Sequence, residues 1–154
     1  MLRFLVVDDE PTICEFLADG LLSEFAGEVT CAHTATEGAR LIGAGSFDFA
    51  FIDVILPDAS GIALAGLAVT ENIPVLLSSG HPLESDQLEE TGCQLLQKPF
   101  RLEALFRQVD EIVVNVQENI RRVKESAARM QVSTAALRDV MAESRRLLRE
   151  SQPS

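Results

Sequence analysis

Short apolar runs alternate with stretches of helical apolar spacing along the first hundred residues. Apolar runs of four to eight residues bounded by turn residues are typical of buried strands, whereas apolar residues three and four positions apart are typical of a helix face. The first run, LRFLVV, has the length and branched side chains of a buried parallel strand. The predicted strands cover residues 2–7, 29–32, 47–56, 74–78 and 94–97.

Helical spacing follows each predicted strand. Pro11 suits the first turn of the first helix, because a first-turn residue needs no backbone N–H. Thr34 or Thr36 can cap the second helix. Strands that alternate with helices predict βαβ crossovers and therefore an α/β fold, in which helices cover both faces of a parallel sheet. The later helices are predicted over residues 62–68, over an uncertain part of 82–91, and from Leu102 onward.

Beyond Phe106 the apolar residues follow a seven-residue repeat. Nearly unbroken a and d columns predict a coiled coil, and we expect the helix to leave the domain beyond about Gln117. One helix to Glu150 would be roughly 70 Å long, and so long an apolar seam predicts a homodimer. The a column is Phe106, Val113, Ile120, Ala127, Thr134, Met141 and Leu148, and the d column is Val109, Val116, Val123, Met130, Leu137 and Ser144.

Other interpretations of this tail stay open. Ser133 could cap the second helix of an intramolecular hairpin. Residues 127–138 faintly resemble a helix-turn-helix that lacks its turn glycine, which would make the chain a DNA-binding regulator. If dimerisation does not depend on the tail, the tail would be a docking arm for another protein.

Charge is distributed unevenly along the chain. Residues 1–100 have 16 acids and three bases, for a net charge of −13, whereas residues 101–154 have ten bases and eight acids. So few bases argue against a nucleic-acid surface in the first hundred residues, because phosphate contacts need clustered Lys and Arg. The mixed signs of the tail are typical of a solvated helix.

The three cysteines, Cys14, Cys31 and Cys93, have no metal-site spacing, and we expect small buried thiols in a reducing compartment. No apolar run is long enough to span a membrane, and a strand is predicted from Leu2. A cytoplasmic protein is therefore expected.

Acidic residues stand at the ends of two predicted strands. Asp8 and Asp9 follow the first strand, and Asp53 lies near the end of the third. Parallel sheets bind ligands at the carboxyl ends of their strands, near the point where the strand order switches. Converging carboxylates repel one another unless a cation neutralises them, and an all-oxygen ligand set favours Mg²⁺.

Two more polar residues follow the last two strands. The ammonium of Lys98 and the hydroxyl of Ser79 would reach the same edge of the sheet. Nucleophile, metal and hydrogen-bond donors are the components of a phosphoryl-transfer site. Each motif alone is common in turns and caps, but four of them at four strand ends are specific. We expect His81, beyond Ser79, to be solvated rather than a ligand, and His33 to lie on the surface.

These segments resemble the response-regulator receiver domain of two-component systems. The resemblance covers about residues 1–118 and leaves 119–154 as a helical extension for dimerisation or docking. It implies a flavodoxin-like, doubly wound order of the five parallel strands. The matching segments are VVDDEP (6–11), DVILPDASG (53–61), PVLLSSG (74–80) and QKPF (97–100).

The resemblance also implies the role of each site residue. Asp53 would accept a phosphoryl group from a sensor histidine kinase. Mg²⁺ would be bound by Asp9 directly, with Asp8 beside it, by Asp53 and by the backbone carbonyl of Ile55. The remaining roles would be contact of Lys98 with the phosphoryl group, a cis peptide between Lys98 and Pro99, and a switching movement of the Ser79 hydroxyl.

Such a protein is a phosphoacceptor rather than an enzyme, with Mg²⁺-dependent self-phosphorylation and autodephosphorylation expected. Its expected output is protein contact, with a phosphotransfer protein as a further partner. A phosphate shuttle or sink without output and a degenerate receiver are the alternatives, although the Asp9, Asp53 and Lys98 set is intact. One departure is Leu95, which occupies the position where receivers usually have the aromatic residue of the switch.

Overall fold

The computed structural model describes residues 1–150, apart from the side chains of Leu148 and Glu150, so the predicted seam position Leu148 lies outside the described side chains. Strands and helices alternate as predicted. The strands are β1 Leu2–Val7, β2 Gly27–Ala32, β3 Phe49–Asp53, β4 Val75–Ser79 and β5 Gln94–Gln97. The helices are α1 Pro11–Glu24, α2 Ala35–Ala44, α3 Gly61–Thr70, α4 Ser85–Thr91 and α5 Leu102–Glu150.

The five strands form one parallel sheet in the order β2-β1-β3-β4-β5. This is the flavodoxin-like, doubly wound order, so the predicted fold class is confirmed. The chain crosses from one side of β1 to the other between β2 and β3, which makes the carboxyl ends of β1 and β3 the switch point of the sheet.

The core lies on both faces of the sheet. All five residues of β3 are buried, as expected for a central strand covered on both sides. On one face Leu5 and Ile52 belong to a cluster that includes buried residues of α2 and α3. On the other face aromatic rings pack in a row: Phe25 lies 5.9 Å from both Phe4 and Phe106, between ring centroids.

Strand β3 is shorter than the predicted run of residues 47–56. It ends at Asp53 because the Asp53 carboxylate accepts the backbone N–H of Ile55 at 3.0 Å, which turns the chain out of the sheet. Helix α4 is short, as its uncertain length in the sequence suggested. It has seven residues, none of them buried, and Gly92, whose φ of 65° suits glycine, caps its C-terminal end.

The chain divides into two compact units, Met1–Ile112 and a second that begins at Val113. The described part of the second unit is helix throughout, and no turn interrupts residues 132–134. The Thr134 hydroxyl donates to the Met130 carbonyl at 2.9 Å, so this polar residue is accommodated inside the helix. The hairpin and the helix-turn-helix therefore lack the turn that each requires. No helix among the described residues has the length and apolar character needed to cross a membrane.

Candidate functional site

The structure brings the three predicted carboxylates together at the switch point. Asp8, Asp9 and Asp53 each offer an oxygen atom, and these three atoms lie within 4.8 Å of one another. Asp8 is fully buried and Asp53 is 7% exposed, whereas Asp9 is open to solvent. The adjacent ends of β1 and β3 thus concentrate negative charge at an edge of the sheet that is partly shielded from solvent.

Lys98 neutralises part of that charge. Its ammonium nitrogen lies 2.7 Å from Oδ2 of Asp53 and 3.1 Å from Oδ2 of Asp8. The backbone N–H of Lys98 donates to the Ser79 carbonyl at 2.8 Å, which extends the pairing of β4 with β5 up to the site. The Lys98–Pro99 peptide is cis, as the resemblance implied.

The carboxylate and the ammonium shift each other's proton equilibria. Burial raises the pKa of Asp8, although the Glu10 N–H and Lys98 oppose this effect. Burial alone would lower the pKa of Lys98, but its hydrogen bonds to Asp53 and Asp8 outweigh burial and the pKa rises. The lysine is therefore a cation at neutral pH.

The loop after β3 fixes the orientation of Asp53. Its Oδ1 accepts from Ile55, which leaves Oδ2 facing Lys98. The N–H of Gly61 donates to the Val54 carbonyl at 2.8 Å, and a Cβ at position 61 would overlap the Asp53 carbonyl oxygen. The loop can therefore close against the strand only with glycine at its end.

Ser79 reaches the same edge but points its hydroxyl elsewhere. Its Oγ donates to the His81 carbonyl at 2.8 Å and accepts the His81 N–H at 3.1 Å. The residue is almost fully buried, while His81 is exposed, as expected. The contact between them involves only the backbone of His81, so it gives the histidine ring no role.

Comparison with known families decides what this arrangement belongs to. Residues 4–110 match the response regulator receiver domain family. The chain is a member of that family. Receiver domains are signalling domains of two-component systems that are generally not enzymes, bind Mg²⁺ at an acidic phosphorylation site, and interact with histidine kinases and phosphotransfer proteins.

Individual relatives have similar receiver domains. The transcriptional activator protein PfeR of Pseudomonas aeruginosa is 29% identical over 119 residues, which are 75% of this chain and 39% of PfeR. A CheY-like receiver domain protein from Methanospirillum hungatei has a TM-score of 0.73 at 26% identity, covering 77% of this chain and 98% of that one. The response regulator TrrA of Thermotoga maritima, solved with Mg²⁺-BeF, has a TM-score of 0.66 at 27% identity over 73% of this chain and 99% of TrrA. Among the curated relatives that it matches, this chain spans from 17% to 52% of the relative's length.

The receiver contains one structural residue that the sequence did not reveal, Asp58. It accepts the N–H groups of Ala35 at 2.8 Å and Thr36 at 2.9 Å, together with the Thr36 hydroxyl at 2.6 Å. These bonds hold the pKa of Asp58 down at about 2. Thr34 caps the same helix by accepting the Glu37 N–H at 3.1 Å. The loop after Asp53 is thus tied to the start of α2.

The sequence suggested that His33 lies on the surface, but in the structure it is not free there. It is half-buried, and its Nδ1 lies 3.0 Å from the Asp8 carbonyl oxygen. Because a carbonyl oxygen only accepts, a hydrogen bond between them requires Nδ1 to carry the proton.

Cys14 is buried as expected, but Cys31 and Cys93 are only half-buried. Burial first, and then the nearby Cys31, raise the pKa of Cys14 to about 12, so this thiol stays protonated.

Proposed function

We propose that this chain is a cytoplasmic response regulator that accepts a phosphoryl group on Asp53 from a sensor histidine kinase and signals through protein contacts. The observation that carries the proposal is the position of Lys98, which bridges Asp53 and Asp8 at the switch point of the sheet. A carboxylate held between a cation and further carboxylates is suited to accept a phosphoryl group and to need a metal while doing so.

The proposed transfer is a substitution at phosphorus. An oxygen of the Asp53 carboxylate attacks the phosphorus of a phosphohistidine, and the P–N bond breaks. The electron pair of that bond stays on the imidazole nitrogen, which takes up a proton from solvent, and an aspartyl phosphate remains. Lys98 would stabilise the negative charge of the phosphoryl oxygens, because its ammonium already lies 2.7 Å from Asp53.

The same carboxylates fit Mg²⁺. Three carboxylate oxygens within 4.8 Å of one another form the hard oxygen set that this ion prefers. We propose that Asp8, Asp9 and Asp53 hold the ion together with the backbone carbonyl of Ile55. The ion would offset the repulsion between the carboxylates and an incoming phosphoryl group. The similarity to TrrA, which was solved with Mg²⁺-BeF, supports this assignment.

Ser79 is proposed to carry the response to phosphorylation. Its hydroxyl would leave the His81 backbone, to which it makes two hydrogen bonds, and donate to the phosphoryl group. The loop after β4 would lose both bonds and rearrange. Leu95 is half-buried against the core cluster, so no aromatic ring follows this movement from that position. The switch is therefore proposed to act through Ser79 alone.

The wider organisation is also a proposal. Residues 1–118 would form the regulated domain, and residues 119–154 an extension through which the chain pairs with a second copy. A phosphotransfer protein would be a further partner, and Mg²⁺ would support self-phosphorylation from small acyl phosphates and autodephosphorylation.

Labelling with acetyl phosphate and Mg²⁺, read by intact mass, tests the phosphoacceptor. We expect one added phosphoryl group that is lost in base, and none on Asp53→Asn, because an amide is not a nucleophile. Asp19→Asn is the matched control, since Asp19 is exposed on α1. Equal labelling of Asp53→Asn and the wild type would show that the acceptor is another residue.

A further inference from the structure

Apolar side chains remain uncovered along one stripe of the second unit. Val123 is 68% exposed and Met130 67% exposed, although both occupy seam positions of the seven-residue repeat. A helix with such a stripe gains most of its stability from a partner that covers it. The exposed seam residues of this unit are Val116, Ile120, Val123, Met130, Leu137 and Met141.

The two edges of the stripe differ in charge. In heptad terms one edge is formed by the e positions and the other by the g positions. We call the first the basic edge, because its charged members are all cations, and the second the neutral edge, because it has no charged member. The basic edge is Gln117, Lys124, Gln131, Arg138 and Arg145, and the neutral edge is Asn119, Ser126, Ser133, Val140 and Leu147.

The described acidic side chains of the second unit lie away from the stripe. Glu118 pairs with Arg122 at 3.1 Å, and Glu143 pairs with Arg146 at 2.9 Å. These four residues occupy the outer c and f positions of the repeat. The basic edge therefore has no acidic residue of its own helix beside it on the seam. The charge of the partner residues that face this edge then decides whether a partner helix runs parallel or antiparallel.

Resting on the proposed pairing of the extension, we propose that its partner is a second copy of this chain in a parallel, in-register, two-stranded coiled coil. In a parallel pair each basic edge meets the neutral edge of the other chain, so no like charges face each other. In an antiparallel pair basic edge meets basic edge, and cations oppose cations. The parallel pair also lets the aliphatic stem of Arg145 cover Val140 of the other chain.

Single cysteines on the full chain test the orientation. In a parallel, in-register pair every seam residue faces its own copy, so Val123→Cys and Leu137→Cys should each form disulfide-linked dimers with oxidised glutathione. Val132→Cys is the matched control, because Val132 is a valine exposed to 71% on the outer face of the same helix. We expect it to form no dimer above the level of the wild type, which has only its three native cysteines.

The outcomes separate the alternatives. The parallel pair would be supported if both seam variants form disulfide-linked dimers with themselves and Val132→Cys does not. In an antiparallel pair a positions face d positions, so a mixture in which Val123→Cys links to Thr134→Cys or to Met141→Cys in preference to itself would show an antiparallel pair and overturn the proposal. Cross-linking of all three variants, or of none, would also overturn it, because the stripe would then not be a specific interface. Labelling of Asp53 is measured separately, so the proposed phosphoacceptor can stand or fall independently.

An introduced charge provides a second test. In the parallel register residue 133 faces position 138 of the other chain, whereas residue 126 faces Gln131. Ser133→Glu would meet Arg138 twice in the symmetric pair and should tighten the dimer roughly two- to tenfold at low salt, an effect that high salt removes. Ser126→Glu is the control and should have no comparable effect. Equal effects of the two substitutions on the dissociation constant would contradict the register.

Discussion

At the scale of single residues, the site depends on the balance between one lysine and the carboxylates that lie close to it. Lys98 is one of three basic residues among the first hundred, and it lies against Asp8 and Asp53. An isolated buried carboxylate costs several kcal/mol, so the lysine makes the arrangement tolerable in the absence of a metal. Its charge also points at the atoms where a phosphoryl group would add negative charge.

Ser79→Ala should separate phosphorylation from its consequence. We expect the variant to be labelled by acetyl phosphate like the wild type, because Asp53 and Lys98 are unchanged, but to respond less in hydrogen exchange over the loop after β4. Ser78→Ala is the matched control. Ser78 is the preceding residue of the same strand, and its buried hydroxyl has no hydrogen-bond partner among the described residues. A full wild-type response from phosphorylated Ser79→Ala would exclude Ser79 as the relay.

The sequence predicted the charged residues of the site better than it predicted the hydrogen bonds that surround them. The carboxyl ends of parallel strands meet at one edge, so Asp8, Asp53 and Lys98 could be placed together from strand positions alone. The role of Asp58 could not be predicted, since its bond to Thr36 joins residues 22 positions apart. The contact of His33 with Asp8 joins residues 25 positions apart, and nothing in the local sequence indicates it.

At the scale of elements, the loop between β3 and α3 sets the acceptor in place. Gly61→Ala should lower the free energy of unfolding by about 1–3 kcal/mol, because its methyl group meets backbone that cannot move aside without shifting Asp53. Gly66→Ala on the same helix meets nothing within 4 Å and should be neutral or stabilising by up to about 1 kcal/mol. Urea denaturation measures both. Equal effects of the two substitutions on the free energy of unfolding would mean that the close approach at Gly61 does not constrain this loop.

The cap of α2 should make stability depend on acid. The pKa of Asp58 falls from 3.8 to about 2 on folding, so the folded state binds its proton less readily. The resulting stabilisation is present above pH 3.8 and disappears as the pH falls towards about 2. Asp58→Asn should therefore melt at a lower temperature than the wild type at pH 6, and the difference should shrink through that window. A difference that does not change with pH would mean that the charge of Asp58 is not what holds the helix.

At the scale of the whole molecule, the tail raises the question of association. The repeat predicted one continuous helix, and the structure has one, because no glycine or proline interrupts residues 102–150. Whether the stripe pairs could not be deduced from periodicity, since Thr134 and Ser144 dilute its apolar columns. Burying a valine, leucine or methionine contributes roughly 1.5–3 kcal/mol, and several per chain can exceed an association cost of about 4–15 kcal/mol.

Light scattering on the full chain and on a chain that ends at Gln117 tests this balance. We expect a dimer for the full chain and a monomer for the shortened one at micromolar concentration. Monomers in both cases would show that the stripe is too weak to associate. Dimers in both cases would locate the interface on the first unit, and the extension would then be a docking arm for another protein.

The most direct measurement for the whole proposal is the position of the phosphoryl group. Borohydride reduces an aspartyl phosphate to homoserine, so treatment of the phosphorylated chain, followed by peptide mass mapping, identifies the acceptor residue. We predict homoserine at position 53 alone, formed only when Mg²⁺ is present during labelling. Homoserine at position 8, 9 or 58 instead, or unreduced Asp53 in a chain that carries the phosphoryl group, would contradict the assignment of Asp53 as the phosphoacceptor.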